Sequence, residues 1–270
     1  MRQSIVLAIL AGFTAAPALA AAPATTPVPA ATAKPAPAPA QSPNAKTLAE
    51  ASTAVSKGEF DKAFTLLRPL AAKGDTNAQV RLGAMFASGL GVKPNQVLAY
   101  GWYLTAADKG NPIAQIEVGQ RLLNGNGVAQ DPVKAFTYFK MATEQGDTVG
   151  NNLVGLCYLD GVGIAKDPVK AMTYFGAAAQ GGNLDAMNSI GFMYADGIGV
   201  AKDEKQAFTW FTKAATLGHA EAAYNLAAAY HAGAGTAKDD TQALYWAQTA
   251  ADKGHREAAV LVAELRAQPK

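Results

Sequence analysis

From Ala186 to Ala195 the apolar side chains fall at Ala186, Ile190, Met193 and Tyr194, steps of four, three and one that wind onto one side of an α-helix. A second helical stripe, Ala207, Trp210, Phe211, Ala214 and Ala215, follows after a short break. Gly197 can take the left-handed conformation that ends the first helix, and Gly199 gives the turn further freedom. Val200 then tucks an apolar side chain beneath the turn. Asp203 offers its carboxylate to the free amides of the second helix, and the equivalent Asp131 and Asp167 are each followed by a proline, the residue suited to a first helical position. The stretch from Gly182 to Leu217 is thus predicted to be a helical hairpin, helix A followed by helix B.

The same pattern recurs without gap or insertion. Gly74, Gly110, Gly146, Gly182, Gly218 and Gly254 are spaced by 36 residues, as are Ala99, Ala135, Ala171, Ala207 and Ala243. The Gly-x-Gly pair keeps this step, beginning at Gly89, Gly125, Gly161, Gly197 and Gly233. A fixed period of this size means an array of hairpins, each too small to bury its apolar face alone. Two adjacent aromatic positions of helix B, Trp102, Tyr138, Tyr174, Trp210 and Trp246, then Tyr103, Phe139, Phe175 and Phe211, read as packing.

The ends differ from this array. Residues 1–20 carry an apolar run, Ile5 to Phe13, and a small-x-small site at Ala18-Leu19-Ala20, the signature of a secretory signal peptide cut after Ala20. That run is shorter than the roughly 20 residues of a spanning helix, so no transmembrane anchor is expected after cleavage. Residues 21–43 hold seven of the chain's fourteen prolines among Ala and Thr and are expected to be a disordered, extended linker. The repeat array is then expected over 44–268. It comprises a partial unit 44–73, full units 74–109, 110–145, 146–181, 182–217 and 218–253, and a capping helix 254–268.

The repeating pattern Ala-x-x-x-(Leu/Ile/Val)-Gly-x-Met-Tyr-x-x-Gly-x-Gly-Val-x-x-Asp-x-x-x-Ala-x-x-(Trp/Tyr)-Phe-x-x-Ala-Ala-x-x-Gly resembles the Sel-one-like repeat family, a relative of the tetratricopeptide repeat. The match covers the five full units. The resemblance implies an all-α fold, a right-handed α/α superhelical solenoid of stacked helical hairpins with helix A lining the inside. Periodicity alone gives only the stacked hairpins.

Net charge is +2, with both signs mixed along the chain and no basic stripe, so nucleic acid is not expected as a partner. Cys157 is the sole cysteine, which rules out an intramolecular disulfide; its position holds Met85, Arg121, Met193 and Ala229 in other units, and it reads as a packing thiol. Family members knit by paired cysteines, some reported to bind or hydrolyse penicillins, differ from this chain there, and their activity is not carried over. His219 and His255 share the position after the unit-boundary glycine, a helix-start position suited to capping, while His231 ends a helix A. The three do not converge on a metal site. The Gly-x-Gly pairs lack the strand or the Gly-Lys-Ser/Thr run of a phosphate cradle. Asp160 and Asp196 precede turns, where Asp before Gly is common chemistry. No catalytic residue, cofactor or metal ligand is therefore assigned.

Positions that vary between units mark where a partner could bind. By analogy with the tetratricopeptide inner surface, one row runs Asn77, Ile113, Val149, Asp185, Glu221, a second Val80, Ile116, Asn152, Asn188, Tyr224, and a third Ala84, Gln120, Leu156, Phe192, Ala228. The expected partner-binding residues of this concave groove are Asn152, Leu156, Asp160, Asp185, Asn188, Phe192, Asp196, Glu221 and Tyr224. Phe192 and Tyr224 supply apolar contact, the asparagines hold a partner's backbone and the acids favour basic groups. The expected protein is a monomeric, non-catalytic, periplasmic or secreted scaffold that binds a protein, a peptide or an envelope component. An envelope hydrolase acting on β-lactams or cell-wall glycans is the alternative. Gly150 and Gly176, where most units carry side chains, are expected to weaken the unit 146–181.

Overall fold

The computed structural model describes residues 43–267; the expected signal peptide and nearly all of the expected linker lie outside them. All regular structure among the described residues is helical: α1 (Pro43–Ser56), α2 (Phe60–Ala72), α3 (Thr76–Ser88), α4 (Gln96–Ala107), α5 (Pro112–Asn124), α6 (Pro132–Glu144), α7 (Thr148–Asp160), α8 (Pro168–Gln180), α9 (Leu184–Asp196), α10 (Glu204–Thr216), α11 (Ala220–Ala232), α12 (Asp240–Asp252) and α13 (Arg256–Ala267). By their contacts they form two compact bodies, residues 43–141 and 142–267, with the division inside α6. Within each body, helices adjacent in sequence pack together.

The hairpin is closed at both helix ends. Gly197 caps α9 at φ 70°, where it donates its N–H to the Met193 carbonyl, a conformation that carries a Cβ penalty for other residues. Asp203 caps α10 by accepting from the amides of Lys205 and Gln206, while its own N–H donates to the Tyr194 carbonyl across the turn at 2.9 Å. The second glycine of the pair does more than loosen the loop. Gly199 has φ 70°, and a Cβ there would lie 2.8 Å from the carbonyl carbon of Pro168. Its hydrogen lets the turn rest on the start of the preceding helix B.

Inside each hairpin the helices meet where a glycine of helix A faces a ring of helix B. A Cβ on Gly155 would stand 2.7 Å from the Phe175 ring, and one on Gly191 2.6 Å from Phe211, so these rings fill the space a side chain would occupy. Tyr103, Phe139 and Phe175 are among the largest fully buried side chains. The neighbouring aromatic position is different: Trp102, Tyr138, Tyr174, Trp210 and Trp246 are only half-buried. The ring that faces helix A forms the core, and the ring beside it covers the edge.

The two glycines expected to weaken the unit 146–181 have different roles. At Gly176 an added Cβ meets nothing within 4 Å, whereas at Gly150 it would lie 2.9 Å from the Thr143 backbone nitrogen. Gly150 is a close-packing residue, so the expectation of simple weakness fails there.

Candidate partner-binding surface

At His219 and His255 the N-cap position of helix A does two things at once. His219 caps α11 by accepting the Ala222 amide on Nδ1 at 3.0 Å. A backbone amide can only donate, so Nδ1 carries the lone pair and Nε2 carries the hydrogen. That Nε2–H donates to Asp185 Oδ1 of α9 at 3.0 Å. One repeat later His255 accepts from the Ala258 amide at 3.2 Å and donates from Nε2 to Glu221 Oε2 of α11 at 2.8 Å. Its ring also stacks on Tyr224, with centroids 4.6 Å apart and planes 20° apart. Asn225 Nδ2 completes the link between α11 and α9 by donating to Asn188 Oδ1 at 2.9 Å. At His219 and His255 the position after the unit-boundary glycine therefore caps its own helix, as the sequence suggests, and also ties it to the helix A before it.

Four of the nine expected residues, Asp185, Asn188, Glu221 and Tyr224, join this network. Phe192 is half-buried on α9, and Asp196, the last residue of that helix, is exposed. The other three lie on α7. Asn152 and Leu156 are each 1% exposed, so neither offers groove surface to a partner. The reason is that α7 buries nine of its thirteen residues and has no open side of the kind α9 keeps. Asn152 Oδ1 accepts no hydrogen bond among the described residues, a cost that an apolar residue would not carry. Asp160 ends α7 half-buried. Its charge also bears on Cys157, whose thiol is pushed up to about 12, first by burial and then by Asp160. A thiol so held is scarcely ionised near neutral pH.

Acid groups that the sequence reading missed complete the surface. The Tyr224 hydroxyl titrates above its ordinary value because of burial and then because of the carboxylates of Glu257, Glu221 and Glu264. His255 Nδ1 lies 3.5 Å from Glu257 Oε2. Glu257 and Glu264 belong to the capping helix, which the sequence pattern presented as a cover and not as a continuation of the helix-A rows. At the far end of α11, His231 Nδ1 and Asp240 Oδ1 are 2.6 Å apart, and this hydrogen bond holds the Asp240 carboxyl below its ordinary range. No group of three or more His, Cys, Asp or Glu that could hold a metal ion occurs among the described residues.

Residues 43–141 contain a second polar cluster, and it is inside. Arg121 occupies the position that is Met85, Cys157 or Met193 elsewhere, and it is 8% exposed. Its guanidinium lies 4.8 Å from the centroid of the Tyr103 ring, donates to Gln96 Oε1 at 2.9 Å and stands 3.9 Å from Glu117. Burial pushes the Glu117 carboxyl above its ordinary value, with Arg121 acting in the opposite sense. An arginine at a position otherwise apolar was the available signal in the sequence.

The family model for the Sel1 repeat matches five times, over residues 76–111, 112–147, 149–183, 184–219 and 220–255. Among solved structures, a Sel1 repeat protein from Oxalobacter formigenes is similar, with 29% identity over 81% of this chain and 87% of that one and a TM-score of 0.75. The c5321 protein, a protective antigen of uropathogenic Escherichia coli that displays an SLR fold, shares 32% identity over 76% of this chain with a TM-score of 0.69. The present chain spans only 44% of its length. No curated protein matches. The α/α solenoid of hairpins built on a glycine-to-ring contact, the five matched repeats and the solved relatives agree: the chain belongs to the Sel1 repeat family.

Proposed function

We propose that the helix-A surface around Tyr224 binds an extended, basic segment of another protein, and that the chain serves as a non-catalytic scaffold. Sel1 repeat proteins typically mediate protein–protein interaction, which supplies the class. The observation that carries the particular reading is a half-buried tyrosine stacked on His255, whose nitrogens lie against the carboxylates of Glu221 and Glu257. Among the described residues the ion-pair partners of Asp185, Glu221 and Glu257 are imidazoles, and a carboxylate that accepts from a neutral imidazole keeps its charge for a partner. Phe192 on α9 adds apolar area, and Asp196 extends the acidic character. The buried Cys157 thiol supports a binding role over a hydrolytic one, because a nucleophile needs an ionised and accessible sulfur.

The setting belongs to the same proposal: the apolar run from Ile5 and the Ala18-Leu19-Ala20 site direct the chain out of the cytoplasm, to the periplasm or the medium. No described helix is long and apolar enough to cross a membrane. The test is binding of a lysine-rich, aliphatic peptide to the full array over a range of salt. Affinity should fall with ionic strength and fall again in Glu221→Gln. Binding that is indifferent to salt, or equal for an acidic peptide, would remove the assignment. N-terminal sequencing of the exported protein should give Ala21.

A further inference from the structure

Both nitrogens of His219 and of His255 are committed, and the commitment holds for one protonation state only. In each ring Nδ1 accepts a backbone amide, from Ala222 and from Ala258, and Nε2–H donates to a carboxylate, Asp185 and Glu221. A neutral imidazole meets both demands. An imidazolium cannot, because a hydrogen on Nδ1 points at an amide hydrogen.

We infer that these two histidines make the starts of α11 and α13 acid-sensitive: protonation exchanges the helix cap for an ion pair with the preceding repeat. In acid each ring keeps its carboxylate as a charged partner and gives up the amide of its own helix. The inference stands apart from any partner, since it concerns how consecutive helices A are joined.

The surroundings of the two rings set them apart. Around His219 stand Asp185 of α9, Glu221 two residues ahead and the Lys253 ammonium, which donates to the carbonyl of Gly218 at 2.7 Å. Glu221 is already engaged by His255. Around His255 stand Glu221 and Tyr224 of α11, the neighbouring Lys253 and Arg256, and Glu257, whose Oε2 is 3.5 Å from Nδ1. His255 thus has an acceptor in place for the new hydrogen and can keep its stacked position. His219 has its two-residue acid occupied and must turn or release. The side chains of the two rings are 17% and 10% exposed, so water is a poor substitute for either contact.

The chain carries its own control. Asn111 and Asn183 hold the same position and cap their helices from Oδ1, accepting from Ala114 and Ala186, without a titrating group. Amide exchange by NMR in the full chain at pH 7.5 and 5.0, corrected for intrinsic rates, compares Ala222 and Ala258 with Ala114 and Ala186. Relative protection at Ala222 and at Ala258 should each fall about fivefold at the lower pH, the loss of a cap of ordinary strength. His219→Asn with His255→Asn should abolish the difference. Unchanged relative protection overturns the inference. So does a ring nitrogen spectrum of the unaltered protein that places the hydrogen on Nδ1 at pH 7.5, a result that needs no variant to fold.

Discussion

Two regions built on one repeat place their unusual chemistry on opposite sides of the framework. In residues 43–141 the departures are internal, where Arg121 and Glu117 bring charge to positions that the unit 146–181 fills with Cys157 and Leu153. In residues 142–267, the buried Asn152 aside, they lie toward the surface, where histidine replaces asparagine or aspartate at the cap and acids lie against His255 beside Tyr224. A repeat can change at either kind of position and keep its fold. Charge placed inside is felt as stability, and charge placed at the rim is free for recognition.

The core contact gives the largest expected effect. Phe211→Ala empties the space that Gly191 leaves, and it should cost about 3 to 5 kcal/mol in denaturant melts. Trp210→Ala, one residue away but half-buried, should cost clearly less. Equal losses would show that the edge ring matters as much as the core ring. The unit 218–253 solves the same contact differently, with Ala227 facing Ala247, both fully buried, where other units pair glycine with a ring. The volume is shared between the two positions, so they change together.

The buried charge comes next. Arg121→Met leaves the Glu117 carboxyl without its cation, and a loss of about 2 to 4 kcal/mol is expected. Adding Glu117→Leu should recover most of it, because Met and Leu stand at these positions in other units. A double variant no more stable than the single one would show the ion pair to be needed for packing. The pH dependence has a defined sign. Burial raises the folded-state value of Glu117, so its contribution is present at pH below the ordinary carboxylate value and is lost as pH rises through the raised one. Glu117→Gln should flatten that decline.

At the rim the order of effects reverses. Phe192→Ala should weaken binding of a basic peptide by about 1 to 3 kcal/mol while moving the melt little. A melt lowered as far as that of Phe211→Ala would return Phe192 to the core. The smallest effect separates two glycines of one unit. Gly176→Ala should stabilise by about 1 kcal/mol, since the added Cβ meets open space in a helix interior. Gly150→Ala should fail to stabilise, because its Cβ would press on the Thr143 backbone.

The framework was legible because it is repeated. A period of 36 residues, the recurring turn glycines and a side-chain acceptor at most helix starts are local signals, and copies within one chain confirm one another. The surface was legible only in part. Asp185, Asn188, Glu221 and Tyr224 join one network of contacts between neighbouring helices A, but Asn152 and Leu156 occupy the same rows and are buried. Row counting assumes that every helix A has the same open side, and α7 does not.

The sequence alone determined the hairpin, its length, its caps and the class of fold, since each depends on contacts within about one repeat. Tertiary structure decided what each exception means. It made Gly150 a contact and Gly176 a gap, turned Arg121 inward onto Tyr103, and joined His219 to Asp185 across 34 residues. These outcomes depend on which neighbouring atoms lie within a few ångströms, and spacing along one helix does not carry that information.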